Sequence, residues 1–126
     1  MAVLSVGVDL VEIDRLEEVM ERRGERFTSK VFTPAERAYC GERPRPVIHF
    51  AGRFAVKEAV LKALRTGWVK GISWQDVEVE TGSNGEPVAT LTGGARERAD
   101  AMGLQGLHIS IAHTEHYAVA TAVAEG

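Results

Sequence analysis

Asp9 and Glu58 are acids where an apolar residue is the usual occupant, and Lys62 stands one helical turn beyond Glu58. Asp9 interrupts the run Val6-Gly7-Val8-Asp9-Leu10-Val11, at a point where an ordinary strand carries Val or Ile. On a helical wheel at about 100° per residue, Arg53 and Lys57 fall together, Glu58 and Lys62 form a second close pair, and apolar residues fill nearly every other direction. A helix apolar on most sides is normally buried, and buried charges cost several kcal/mol unless they are paired or bound to something. Two carboxylates far apart in sequence but on neighbouring elements can hold a hard cation such as Mg2+, with water and a substrate phosphate in its remaining positions. Lys62 can then meet the same phosphate. Two plainer readings stay open. Glu58 and Lys62 can form an i, i+4 salt bridge worth about 0.2–0.5 kcal/mol, and Asp9 can cap the strand end or the turn after it.

The elements that must position these groups follow from pattern. The β-branched stretch Val3 to Val11 reads as a strand. Ile13, Leu16 and Met20 then recur at helical spacing, with Gly24 as a stop. Thr33-Pro34-Ala35-Glu36 is a capping box with proline at the first helical position, so a short helix begins there and runs towards Cys40. From Val47 to Leu64 there is no proline and much Ala, Leu, Lys and Phe, which predicts a long helix ending before Thr66-Gly67. Val77 and Val79 alternate with acids, Asn84-Gly85 marks a turn and Val88 to Leu91 continues as a partner strand. A helix over 95–102, a strand through Leu107, Ile109 and Ile111, and a last strand Tyr117 to Ala124 complete the chain. Helices clustered early and antiparallel strands clustered late predict an α+β fold, with one long central helix and shorter ones packed on a mainly antiparallel sheet.

The chain has 126 residues, 44% of them hydrophobic, the size of one compact domain spanning 1–126. A site for a large ligand is hard to enclose within so small a subunit, which favours a cleft shared between copies. With 15 Lys plus Arg against 18 Asp plus Glu, the net charge of -3 argues against general binding to nucleic acid or an anionic membrane. No signal peptide or run of bilayer length is evident, so a cytoplasmic protein is expected. The lone Cys40 has no partner for an internal disulfide or a metal-binding pair, and Tyr39 and Gly41 supply no base to activate it.

Several stretches together resemble the holo-acyl-carrier-protein synthases, the short bacterial class of phosphopantetheinyl transferases. Val6-Gly7-Val8-Asp9-Leu10-Val11-Glu12-Ile13 matches the first motif and 52–64, Gly-Arg-Phe-Ala-Val-Lys-Glu-Ala-Val-Leu-Lys-Ala-Leu, the second. Phe32-Thr33-Pro34-Ala35-Glu36, Asn84-Gly85-Glu86-Pro87 and Ile109-Ser110-Ile111-Ala112-His113-Thr114 with Tyr117-Ala118 match further segments, in order, over nearly the whole chain. The resemblance implies transfer of the 4'-phosphopantetheine arm from coenzyme A to a serine of apo acyl carrier protein, releasing adenosine 3',5'-bisphosphate. It also implies a place in fatty acid biosynthesis and a homotrimer with sites at subunit interfaces.

Residue by residue, the resemblance places Asp9 and Glu58 on metal positions for Mg2+ and makes Lys62 the catalytic lysine. Arg53, Lys62, Gly85, Pro87 and His113 fall on coenzyme A-binding positions; taken alone, His113 also reads as a turn histidine satisfied by backbone. Arg15, Arg22, Arg23 and Arg26 fall where the family docks its carrier protein, although Glu17, Glu18, Glu21 and Glu25 could neutralise them as a solvated face. Two departures stand out: Arg65 replaces a common glycine and leaves the end of the long helix open, and Ala112 replaces a small hydroxyl residue. The rival readings are a non-catalytic coenzyme A- or nucleotide-binding trimer and a metal-dependent phosphohydrolase.

Overall fold

The computed structural model describes residues 1–66 and 71–126. Strand β1, Val3–Glu12, runs directly into helix α1, Ile13–Arg23. Helices α2, Glu25–Val31, α3, Pro34–Gly41, and α4, Pro46–Ala63, follow, then a single 3-10 turn, Trp74–Asp76. Strands β2, Val77–Thr81, and β3, Pro87–Leu91, helix α5, Gly93–Ala101, and strands β4, Gly106–His113, and β5, Tyr117–Glu125, complete the chain. The expected α+β class holds, but the strands form two antiparallel sheets, one ordered β1-β5-β4 and one of β2 and β3 alone.

The sequence reading overlooked α2. Its signal is short: Phe27 and Val31 one turn apart, Glu25 in the first turn and Lys30 in the last. Gly24 ends α1 as expected and, at a φ of 57°, turns the chain at once into α2. The capping box at α3 is complete, with Thr33 Oγ1 accepting from the Glu36 amide and Glu36 Oε1 accepting from the Thr33 amide at 2.8 Å.

Helix α4 packs against β1, β5 and β4 because the facing side chains are small. Ala51, Ala55, Ala59 and Ala63, four residues apart, are all fully buried, as are the alternate alanines Ala118, Ala122 and Ala124 of β5. Gly7 on the inner face of β1 lets the helix backbone come closer still: a Cβ there would lie 2.0 Å from the Ala59 carbonyl oxygen. Ser5 donates from the same face to the Ala63 carbonyl. The helix ends in a Schellman motif, with the Arg65 amide bonded to the Lys62 carbonyl at 3.0 Å and the Thr66 amide to the Leu61 carbonyl at 3.4 Å. Arg65 takes the left-handed position of that motif, at a φ of 60°, which accounts for glycine as the usual occupant of such a site. Gly67, the other half of the expected Thr66-Gly67 stop, lies outside the described residues.

Candidate active site

Residues of β1 alternate, so Ser5, Gly7, Asp9 and Val11 face α4 while Val6, Val8 and Leu10 face away. Asp9 therefore points inward from a strand, and its carboxylate meets Lys62 on α4: Lys62 Nζ donates to Asp9 Oδ1 at 3.3 Å and to the Val8 carbonyl at 2.9 Å. Asp9 is no plain strand cap. The Asp9 side chain is only 17% exposed while that of Lys62 is 55% exposed, so the ammonium remains open to an arriving anion.

Asp9, Glu58 and Lys62 line one cleft of about 470 Å³ together with Glu12 and Arg15. Leu16 and Val19 of α1, Phe27 of α2 and Phe54 of α4 form its apolar wall. The aromatic part of this wall is braced, since Phe27 and Phe54 lie 6.2 Å apart and Phe54 stacks on Trp74 at 5.2 Å and 22°. Half-buried Glu58 and Asp9 are an all-oxygen pair, and among the described residues no group of three or more His, Cys, Asp or Glu gathers as a metal cage. Two carboxylates with room beside them suit Mg2+, which keeps several waters and favours one or two carboxylates plus phosphate over a full protein cage.

The other candidates are distributed unequally. Arg53 is buried on α4; its Nη2 donates to Thr81 Oγ1 at 3.2 Å, its guanidinium lies 4.3 Å from the Tyr39 ring centre, and its buried Nε has no hydrogen-bond partner among the described residues. Arg43 lies 4.0 Å from the same ring. A hydrogen bond with Thr81 holds the Tyr39 phenol below its usual pKa, and the arginines add to the effect. His49 joins this cationic group: burial, then Arg53, Arg43 and His113, lower its pKa. His113 is exposed at the end of β4, with Nδ1 3.3 Å from the Thr114 carbonyl, and Gly85 sits in the β2–β3 turn at a φ of 83° beside Pro87, the first residue of β3. None of Arg53, Gly85, Pro87 and His113 is among the described residues lining the Asp9 cleft.

Lys57, which falls beside Arg53 on the helical wheel, does not share its surroundings. Its side chain is fully buried and bound to Glu36, so it is spent inside the fold. The four arginines also separate. Arg15 lines the Asp9 cleft, whereas Arg22, Arg23 and Arg26 line a groove of about 500 Å³ together with Lys30 of α2. Lys30 was missed with its helix; its four-residue spacing from Arg26 was the available signal. Cys40 is fully buried, which pushes its thiol up to about 11 and leaves it without nucleophilic character.

The chain is similar to known proteins over nearly its whole length. The family model for the 4'-phosphopantetheinyl transferase superfamily matches residues 5–122. The chain is 41% identical over 123 residues to a holo-acyl-carrier-protein synthase of Koribacter versatilis, covering 98% of each protein. It is 45% identical over 124 residues to one of Desulforudis audaxviator, covering 98% of this chain and 94% of that protein. Among solved structures it resembles the Helicobacter pylori holo-acyl-carrier-protein synthase in complex with coenzyme A, with a TM-score of 0.84, 32% identity and coverage of 95% of this chain and 99% of that one.

Proposed function

The chain belongs to the 4'-phosphopantetheinyl transferase superfamily, and from that membership we infer that it transfers 4'-phosphopantetheine from coenzyme A to apo acyl carrier protein, as a holo-acyl-carrier-protein synthase does. The observation that carries this reading is the convergence of Asp9, Glu58 and Lys62, from elements some fifty residues apart, on one cleft with a long apolar wall. Such a cleft suits a ligand with a charged pyrophosphate at one end and a flexible, largely uncharged arm at the other.

In the reaction, the carrier serine oxygen forms a bond to the phosphorus bearing the pantetheine arm, and the bond from that phosphorus to the bridging oxygen breaks, releasing adenosine 3',5'-bisphosphate. Asp9 and Glu58 are the residues that would hold Mg2+, which when bound neutralises charge on the pyrophosphate. Lys62, held by Val8 and Asp9, presents its ammonium to the phosphate and stabilises the charge that gathers on the leaving group. The serine proton passes to Glu58, directly or through one water. Leu16, Val19, Phe27 and Phe54 seat the arm and exclude water from it.

An uncovered surface supports assembly as a trimer. Val6 and Leu10 on the outer face of β1 are 65% and 64% exposed, and Val8 and Tyr117 extend the patch. Apolar side chains grouped in this way on a sheet face mark an interface. Arg53, Gly85, Pro87 and His113 stand outside the cleft of their own chain, so a neighbouring copy can supply them to it. The acidic carrier docks on the groove of Arg22, Arg23, Arg26 and Lys30, while Arg15 lines the cleft itself.

The direct test incubates the protein with coenzyme A and an apo carrier protein and weighs the carrier. A mass increase of one phosphopantetheine that requires added Mg2+, from a preparation sedimenting as three 13.7 kDa chains, is expected. No mass increase with a competent carrier would sink the transferase reading and leave a coenzyme A-binding protein. Charge reversal in the groove, Arg22→Glu with Arg26→Glu, should raise the KM for carrier by about tenfold or more, since like charges facing across an interface cost several kcal/mol. The KM for coenzyme A should not change, and an equal rise in both would place the arginines elsewhere than in docking.

A further inference from the structure

Lys57 and Glu36 form the most completely buried ion pair described, with no exposure of either side chain and 2.9 Å between Nζ and Oε1. Their hydrogen bonds are also fully committed. Besides Glu36, the ammonium donates to the Trp74 carbonyl at 3.1 Å and to the Val77 carbonyl. The carboxylate accepts from Lys57, from the Thr33 amide at 2.8 Å and from the Val79 amide at 2.7 Å. An ammonium has three donors, and all three are used. Burial lowers the pKa of Lys57, and Glu36 works against that shift.

Stability alone is a weak account of such a pair, because replacing a buried ion pair by apolar residues is often neutral or favourable, whereas an orphaned partner is costly. Its placement gives a stronger account. The bonds to Trp74, in the 3-10 turn, and to Val77 and Val79, in the first half of β2, tie this segment to α3 and α4 at once. At the other end of that five-residue strand stands Thr81, whose Oγ1 accepts from Arg53, one helical turn before Lys57 on α4. Among the described residues Arg53 has no acid partner in an ion pair, and its buried Nε has no hydrogen-bond acceptor. Its direction therefore depends on Thr81 and on the Tyr39 ring. Beyond Thr81 the chain enters the turn that carries Gly85.

We propose that the Lys57–Glu36 pair is a positioning device: by fixing β2 on α4 it sets Thr81, and through Thr81 it aims the Arg53 guanidinium for the phosphates of coenzyme A. This rests on the reading of Arg53 as a coenzyme A contact. The pair touches no substrate and acts through Arg53.

The experiment measures steady-state kinetics of four proteins: the parent, Glu36→Gln, Thr81→Ala and Arg53→Ala. In Glu36→Gln the side-chain carbonyl still accepts from Thr33, but the amide nitrogen cannot accept from Val79, so β2 loosens while the α3 cap survives. The KM for coenzyme A should rise about tenfold, as for one weakened charge-assisted hydrogen bond, with kcat and the KM for carrier retained. Thr81→Ala, at an exposed strand end, should raise the same KM without lowering the melting temperature. A fall in melting temperature for Glu36→Gln with an unchanged KM would make the pair purely structural and overturn the proposal. Should Glu36→Gln fail to fold, Thr81→Ala decides alone: a raised KM supports the relay and an unchanged one overturns it. If Arg53→Ala leaves the KM for coenzyme A unchanged, the underlying reading of Arg53 fails. If Arg53→Ala raises it and the other two do not, only the relay fails.

Discussion

Asp9→Asn and Glu58→Gln should each lower the transfer rate by about a thousandfold, the effect of losing one group that stabilises developing charge in a closed site. Both substitutions keep the shape of the side chain and remove its negative charge. The Asp9–Lys62 pair is partly exposed and contributes on the order of 1 kcal/mol or less to folding, so the Asp9→Asn protein should melt close to the parent. Activity and stability therefore separate.

A second comparison tells metal holding from lysine positioning. If Asp9 holds Mg2+, the magnesium concentration for half-maximal rate should rise in Asp9→Asn and stay put in Lys62→Met, although both are slow. If Asp9 serves only to orient Lys62, the two variants will show the same magnesium dependence. A near-normal rate in either carboxylate variant would remove that residue from the site altogether.

Gly7→Ala should be a severely damaging single methyl group. The new Cβ would meet the Ala59 carbonyl oxygen at 2.0 Å and the Ala63 nitrogen at 2.9 Å, and both are helix backbone, which no rotamer change can move aside. Overpacking costs typically about 1–3 kcal/mol, and here relief requires shifting α4 off β1 as a unit. The upper figure corresponds to a loss of roughly ten degrees in melting temperature for a domain of this size. Asp9 lies two residues along the same strand face and Glu58 is next to Ala59, so the same shift opens the carboxylate pair and lowers activity in the folded fraction.

Gly52→Ala is the control. Its Cβ would meet only the Ile111 side chain, at 3.2 Å, and helix propensity favours alanine by about 1 kcal/mol. Circular dichroism melts of the two variants decide the matter. If Gly7→Ala melts no lower than Gly52→Ala, the close approach at Gly7 is not what seats the helix.

Much of the local structure was legible because its causes are local. The Thr33–Glu36 capping box, the Gly24 stop, the last strand from Tyr117 and the proline-free run from Val47 each depend on residues within a few positions of one another, and each stands close to where the pattern places it. Asp9 was conspicuous for the same reason, as an acid in an apolar strand. Helix α2 escaped because seven residues give too few turns for a periodicity to show.

What the pattern could not decide is which charges meet. On the wheel, Lys57 and Lys62 are two lysines of one helix, each beside a charged neighbour, yet Lys57 is sealed against Glu36 and Lys62 turns out to Asp9, 53 residues away in sequence. Arg15 and Arg22, seven residues apart on one helix, likewise share a face by spacing, whereas the fold gives Arg15 to the cleft and Arg22 to the groove. Two sheets instead of one, and an uncovered face on β1, belong to the same class of fact. Sequence by itself determined the elements and the residue types capable of phosphate chemistry, since propensity and capping act over a few residues. The tertiary structure alone decided the partnerships, because these are set by the close packing of alanine and glycine faces that brings distant segments to fixed separations.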